Sequence, residues 1–209
     1  MLSYSRNCTN EADFAIMNGG GCRADLPVGD ITRYDLYTSF PFKNIVVDVK
    51  LTGSEVWHLI NGFTTGINHW SGEPIGTTPQ LSRNIKVMYE TVRKGNDEFR
   101  ELRSVEIGGE PLDFEANYTI ATTDFIGGTS QGDNYLPPRK NPQDRELPKN
   151  ITEVLEDYIR GLSPVKINLE RRMADIHGSS KPSHAHQHGV SIFLSLLMTG
   201  FAMLVMLCQ

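Results

Sequence analysis

The chain has 209 residues, 39% of them hydrophobic, with 20 Lys and Arg against 25 Asp and Glu, a formal net charge of −5 and a pI near 5.7. That length accommodates one domain with a substantial core. The acidic balance argues against a nucleic-acid partner, whose phosphates would require clustered Lys and Arg. Cys8, Cys22 and Cys208 are too few for a disulfide scaffold, though Cys8 and Cys22 are a candidate pair in an oxidising compartment.

The N-terminus, Met1-Leu2-Ser3-Tyr4, lacks the basic segment and apolar core of a signal peptide. Phe14 to Met17 reads as a buried strand that breaks into Asn18-Gly19-Gly20-Gly21-Cys22-Arg23. Glycines let a backbone approach a bound molecule because no Cβ intervenes. Asn18 can donate and accept, and the Arg23 fork suits phosphate or carboxylate oxygens. The loop is therefore a candidate site for a small polar anion, although a glycine run after a strand also serves as a plain tight turn.

Thr32 to Ser39 reads as a short helix with Thr32 as N-cap, and Asn44 to Leu51, rich in β-branched residues, as a strand. Thr52-Gly53-Ser54-Glu55 is a capping box, followed by Val56, Leu59, Ile60 and Phe63 at helical spacing. Thr64 to Pro79 has no period and reads as a long loop. Ile85 to Thr91 and Leu102 to Ile107 are predicted strands of a hairpin around a charged turn at Arg93 to Glu98, and Gly108-Gly109 turns the chain again. Tyr118 to Thr123 is a strand that delivers Asp124 and Phe125 at its end. The four prolines between Leu136 and Asn150 predict a surface excursion. Thr152 is the expected cap of a last amphipathic helix, with Val154, Leu155, Tyr158, Ile159 and Leu162 on its apolar face and Gly161 and Pro164 at its end. Runs of helix and strand without regular alternation predict an α+β domain, mixed β-sheets with flanking helices, over residues 1–176.

Three sequons place candidate glycosylation sites at Asn7, Asn117 and Asn150. From residue 177 the composition changes. Gly178, Ser179 and Ser180 are small, residues 177–189 form a polar spacer, and residues 190–209 are almost wholly apolar. This is the layout of a glycosylphosphatidylinositol attachment signal, with Gly178, Ser179 and Ser180 as candidate attachment sites and the cell surface as the expected location. The competing reading is a C-terminal transmembrane helix, for which Val190 to Cys208 is just long enough. His184, His186 and His188, and the pair Asp175 and His177, resemble metal-ligand patterns, but no convergent acidic set accompanies them.

From about Asp13 to Arg171 the chain resembles the C-terminal domain of the 5'-nucleotidase family. The resemblance rests, in order, on Asn18-Gly-Gly-Gly-x-Arg23, Pro41-Phe42, a strand ending in Leu51-x-Gly53, Asp124-Phe125-Ile126-Gly127-Gly128, and Gly132-Asp133. It implies that Phe42 and Phe125 clamp a nucleobase, each stack contributing about 1–3 kcal/mol; the competing reading is that both rings are core residues. It implies further that Asp133 accepts hydrogen bonds from ribose hydroxyls and that Asn18 and Arg23 meet the ligand's polar edge. The implied ligand is a nucleoside 5'-monophosphate or nucleoside, with homodimer formation also implied. In the family, hydrolysis belongs to two divalent metals, expected to be zinc, in an N-terminal metallophosphoesterase domain. Only 17 residues precede Asn18, so no catalytic residue and no bound cofactor is expected within this chain. A non-catalytic, surface-anchored binding module is the alternative.

Overall fold

The computed structural model describes residues 1–127, 135–137, 145–166 and 168–178. Helix α1 (Leu2–Thr9) leads into β1 (Phe14–Asn18), which ends in a single 3-10 turn over Gly19–Gly21. There follow α2 (Arg33–Ser39), β2 (Ile45–Thr52), α3 (Gly53–Thr65) and the short β3 (Pro79–Leu81). The hairpin β4 (Ile85–Lys94) and β5 (Asp97–Ile107) comes next, then β6 (Glu110–Pro111), β7 (Asn117–Thr123) and the one-turn α4 (Asp124–Gly127). The described elements finish with β8 (Arg145–Asn150), α5 (Ile151–Leu162) and β9 (Met173–Asp175).

A five-stranded sheet has the order β3-β1-β7-β2-β8, and a four-stranded sheet the order β6-β5-β4-β9. Within the first, β1 and β7 are parallel and the other pairings antiparallel. The α+β expectation holds.

The central sheet is covered on both faces, which is why β1 reads as an uninterrupted apolar run. Alternate side chains point to opposite faces. Phe14, Ile16, Val47, Val49 and Ile120 join α3 and the hairpin sheet in one core, where Val56, Leu59, Ile60, Phe63, Ile85 and Val87 are buried. Ala15, Met17, Val46 and Ala121 face the other way, towards Leu36 of α2 and Val154 and Leu155 of α5. Gly53 opens α3 against the next layer, and a Cβ there would land on the Asp113 carbonyl oxygen.

Several expectations need correction. The charged segment Arg93 to Glu98 is mostly strand: β4 and β5 pair out to Lys94 and Asp97, and only Gly95 and Asn96 turn, with Gly95 at φ 64°. Cross-strand pairing carries the hairpin past its apolar residues. Part of the Pro-rich excursion, Arg145 to Asn150, is an edge strand on β2, where Pro148 is tolerated because one side of an edge strand needs no ladder bond. The cap of α5 is Asn150, not Thr152. Asn150 Oδ1 accepts from the N–H groups of Thr152 and Glu153, and the Glu153 carboxylate closes the box on the Asn150 N–H. The Thr152 hydroxyl instead donates to the Phe40 carbonyl at 3.0 Å.

Helix α1 and strand β9 were not expected. α1 is held by its polar residues: Ser5 Oγ and Thr9 Oγ1 donate to the two oxygens of the buried Asp48 on β2, at 2.6 and 2.9 Å. Among the described residues no disulfide forms, since Cys8 stands exposed on α1 while Cys22 is buried beside Met17 and Leu36.

Candidate functional site

Because β1 and β7 are parallel neighbours, both end at the same edge of the central sheet. Ala15 pairs with Ala121, so three positions further on Asn18 reaches the level of Asp124. Strand β2 is antiparallel to β7, with Val46 opposite Thr123, so the residues just before β2 arrive at that edge too. The topology thus brings the glycine loop, the Phe42 segment and α4 together from three distant parts of the chain.

The glycine loop is well tied. The Gly19 N–H donates to the Thr78 carbonyl at 2.8 Å, the Gly20 N–H to Thr77 Oγ1 at 2.9 Å, and the Arg23 N–H to the Ser39 carbonyl at 2.8 Å. A Cβ on Gly21 would come within 3.1 Å of Met17 Cε, and one on Gly20 within 3.4 Å of Asn18 Nδ2. The glycines therefore make room for the strand's own last side chains. Arg23 is exposed; its Nη1 donates to the Gly20 carbonyl at 3.3 Å, and its guanidinium carbon lies 6.0 Å from the centre of the Phe42 ring. Such a cation at an exposed ring contributes about 0.5–1 kcal/mol and leaves most of the guanidinium's donors to other partners.

Phe42 stands on a short arch. At one end the Phe40 carbonyl accepts from Thr152, and at the other the Asn44 carbonyl accepts from the Ile151 N–H at 2.9 Å. The Asn44 amide Nδ2 also donates to Asp124 Oδ1 at 2.7 Å. Between these ties Phe42 is 49% exposed, too open for a core residue of its size. Phe125 differs. It is half-buried, 5.9 Å from the Tyr135 ring at 51°, and Tyr135 stacks on Phe63 at 5.3 Å. Among the described residues no ring contact joins Phe42 to Phe125.

Asn18, Arg23, Phe42 and Phe125 therefore lie at one edge, while Asp133 is outside the described residues. Asn44, Thr77, Thr78 and Tyr135 also stand at or near this edge, outside the motifs that the sequence displays. Asn44 could have been suspected from its place two residues after Phe42; the threonines are recruited by β3 pairing with β1 and carry no local signal.

Beyond this edge, α3 and the loop after it meet in a ring cluster. His58 and His69 stack at 3.7 Å and 6°, with the Trp70 ring edge-on to both. Burial, and then the neighbouring His69, lower the pKa of His58. Asp175 and His177 are engaged with the hairpin: Asp175 accepts from the Thr91 and His177 N–H groups, and His177 Nε2 lies 3.0 Å from Glu90. These contacts hold the Asp175 carboxyl below the usual range. Among the described residues no group of three His, Cys, Asp or Glu is placed to hold one metal ion.

Asn7 and Asn117 are exposed, and Asn150 is the half-buried cap of α5. Gly178 is exposed at the end of the described chain; Ser179, Ser180 and the apolar tail lie outside it. No described helix is long and apolar enough to cross a membrane.

The fold is thus a two-sheet α+β domain that carries a glycine loop and aromatic residues where β1 and β7 end. The family is shown by comparison: the model of the "5'-nucleotidase, C-terminal domain" matches residues 2–137, and the chain belongs to that family. A 5'-nucleotidase of Vibrio cholerae is 32% identical over 170 residues, covering 80% of this chain and 28% of that protein. The crystal structure of a 5'-nucleotidase precursor from Thermus thermophilus superimposes with a TM-score of 0.66 at 26% identity, over 87% of this chain and 34% of that one. The Haemophilus influenzae NAD nucleotidase shares the fold, with a TM-score of 0.54 at 22% identity over 83% of this chain and 30% of that one. The chain thus spans about a third or less of these relatives.

Proposed function

We propose that this chain is the substrate-binding domain of a cell-surface 5'-nucleotidase and takes a nucleoside 5'-monophosphate at the edge formed by Asn18, Arg23, Phe42 and Phe125. The convergence of these four positions from three separate segments carries the reading. The base stacks on the rings, which offer a π face to any base. The Arg23 fork and the Asn18 amide serve the polar part of the ligand, and Asp133 completes the site at the ribose. Cleavage to nucleoside and phosphate is the task of two divalent metals, zinc being the expected ion, in the metallophosphoesterase part of the enzyme. There they would supply hydroxide and neutralise phosphoryl charge, while this domain holds the phosphate in place. The small residues Gly178, Ser179 and Ser180 with the apolar tail behind them support attachment to the membrane by a lipid anchor.

Phosphate release tests the proposal. Phosphomonoester hydrolysis is among the slowest uncatalysed reactions, so the 209-residue chain with zinc and adenosine monophosphate is expected to bind the nucleotide and release no phosphate. Joined in frame to a metallophosphoesterase domain of the family, it should support hydrolysis, and Arg23→Ala in that fusion should reduce kcat/KM by about tenfold or more, the loss expected for a hydrogen bond to a charged group. A fusion whose activity is indifferent to Arg23 and Phe42 would overturn this site, and a folded fusion that binds nucleotide but releases no phosphate would place the domain among non-catalytic binding modules.

A further inference from the structure

The hydrogen bond between Asn44 and Asp124 joins the two segments that carry the aromatic residues. It is partly buried, spans 80 positions of sequence and measures 2.7 Å. The Asn44 backbone is fixed independently, since its carbonyl accepts from Ile151 and β2 starts at the next residue. An amide side chain can turn either its oxygen or its nitrogen to a neighbour. A carboxylate only accepts. With Asp124 as partner, only one orientation of Asn44 makes a bond: Nδ2 faces Asp124, and Oδ1 is the amide atom left to face elsewhere.

Resting on the reading that a base stacks on Phe42, two residues away, we infer that Asp124 is a positioning residue that holds Asn44 as a hydrogen-bond acceptor towards the edge of the base. The site then prefers a base with an exocyclic amino group over one with a carbonyl at the same position. An amino N–H meets Asn44 Oδ1. A carbonyl there sets oxygen against oxygen, which repel, so the amino base is favoured. Asp124 exerts this effect without touching the ligand, by denying Asn44 the alternative orientation.

Calorimetric titration of the full chain with adenosine and inosine, and with cytidine and uridine, tests the inference. The unmodified chain should bind each amino nucleoside about tenfold more tightly than its carbonyl counterpart. Asp124→Asn replaces an acceptor with a group that both donates and accepts, frees Asn44 to turn over, and should bring the ratio to within about twofold of one. The exchanged pair Asn44→Asp with Asp124→Asn should restore the preference, because the amide introduced at position 124 donates and the carboxylate introduced at position 44 offers only acceptors; a purely structural contact would show no such recovery of selectivity. Should Asp124→Asn fail to fold, Asn44→Leu, of similar volume, should abolish the preference while leaving Asp124 in place. Equal affinities in the unmodified chain, or a preference that survives both Asp124→Asn and Asn44→Leu, would overturn the inference while a Phe42-dependent site stands. Absence of nucleoside binding, or binding unaffected by Phe42→Ala, would overturn the base-site reading and this inference with it.

Discussion

Phe42 and Phe125 carry the same side chain in different surroundings, and the difference separates binding from stability. Phe42 is about half exposed at the top of an arch whose ends are tied to α5 and α4, so the arch does not depend on the ring. Phe125 packs against the first core through Tyr135 and Phe63. Phe42→Ala should therefore leave unfolding in urea within about 0.5 kcal/mol of the parent and weaken adenosine binding by about 1–3 kcal/mol. Phe125→Ala should weaken binding similarly and also cost about 1–2 kcal/mol of stability through lost apolar burial. Urea titrations beside calorimetry would distinguish the two, and equal stability losses would show that Phe42 belongs to the core after all.

At the level of elements, α3 shows how a helix specified by its own sequence meets a loop that is not. Its start is fixed by Thr52 and Glu55, which form both bonds of the capping box, and its end by Gly66 at φ 79°. The loop beyond it is held by the His58, His69 and Trp70 rings and by Asn68, whose Oδ1 accepts from the Trp70 N–H at 2.9 Å. Burial and the neighbouring imidazole keep the pKa of His58 below its ordinary value of about 6.5. In the unfolded chain His58 takes up a proton first, so this contribution to stability is complete above about pH 6.5 and is lost as the pH falls below it. The urea midpoint should fall between about pH 7 and about pH 5.5, and His58→Gln should flatten that fall. An unchanged pH profile in His58→Gln would show that the stacked pair does not resist protonation.

For the molecule as a whole, the central sheet lies between two cores, and the candidate site is where β1 and β7 end and β2 begins. The chain leaves this body from the other sheet. Strand β9 pairs with β4, the Ile176 N–H donates to the Tyr89 carbonyl at 2.8 Å, and Asp175 and His177 bind the same hairpin just before Gly178. If the anchor is as proposed, phosphatidylinositol-specific phospholipase should release the protein from cells, and the mature chain should lack Val190 to Cys208. Recovery of an intact C-terminal peptide from surface protein would exclude it.

The sequence by itself determined the elements whose signals are local. The strand at Phe14 to Met17, the capped helices at Thr32 and Thr52, and the strands leading to Leu51 and Asp124 all rest on periodicity, β-branching or capping chemistry within a few residues. The ordered motifs also marked Asn18, Arg23, Phe42 and Phe125. Other features were set by distant partners. The polar helix α1 forms because Ser5 and Thr9 find Asp48 about forty positions away, β8 forms because β2 offers an open edge to a segment rich in proline, and β9 because β4 offers its own. The same holds within the site: parallel pairing of β1 with β7 brings Asn18 level with Asp124, and antiparallel pairing of β2 with β7 sets Asp124 beside Asn44. A hydrogen bond across 80 positions depends on strand order, which no local pattern encodes.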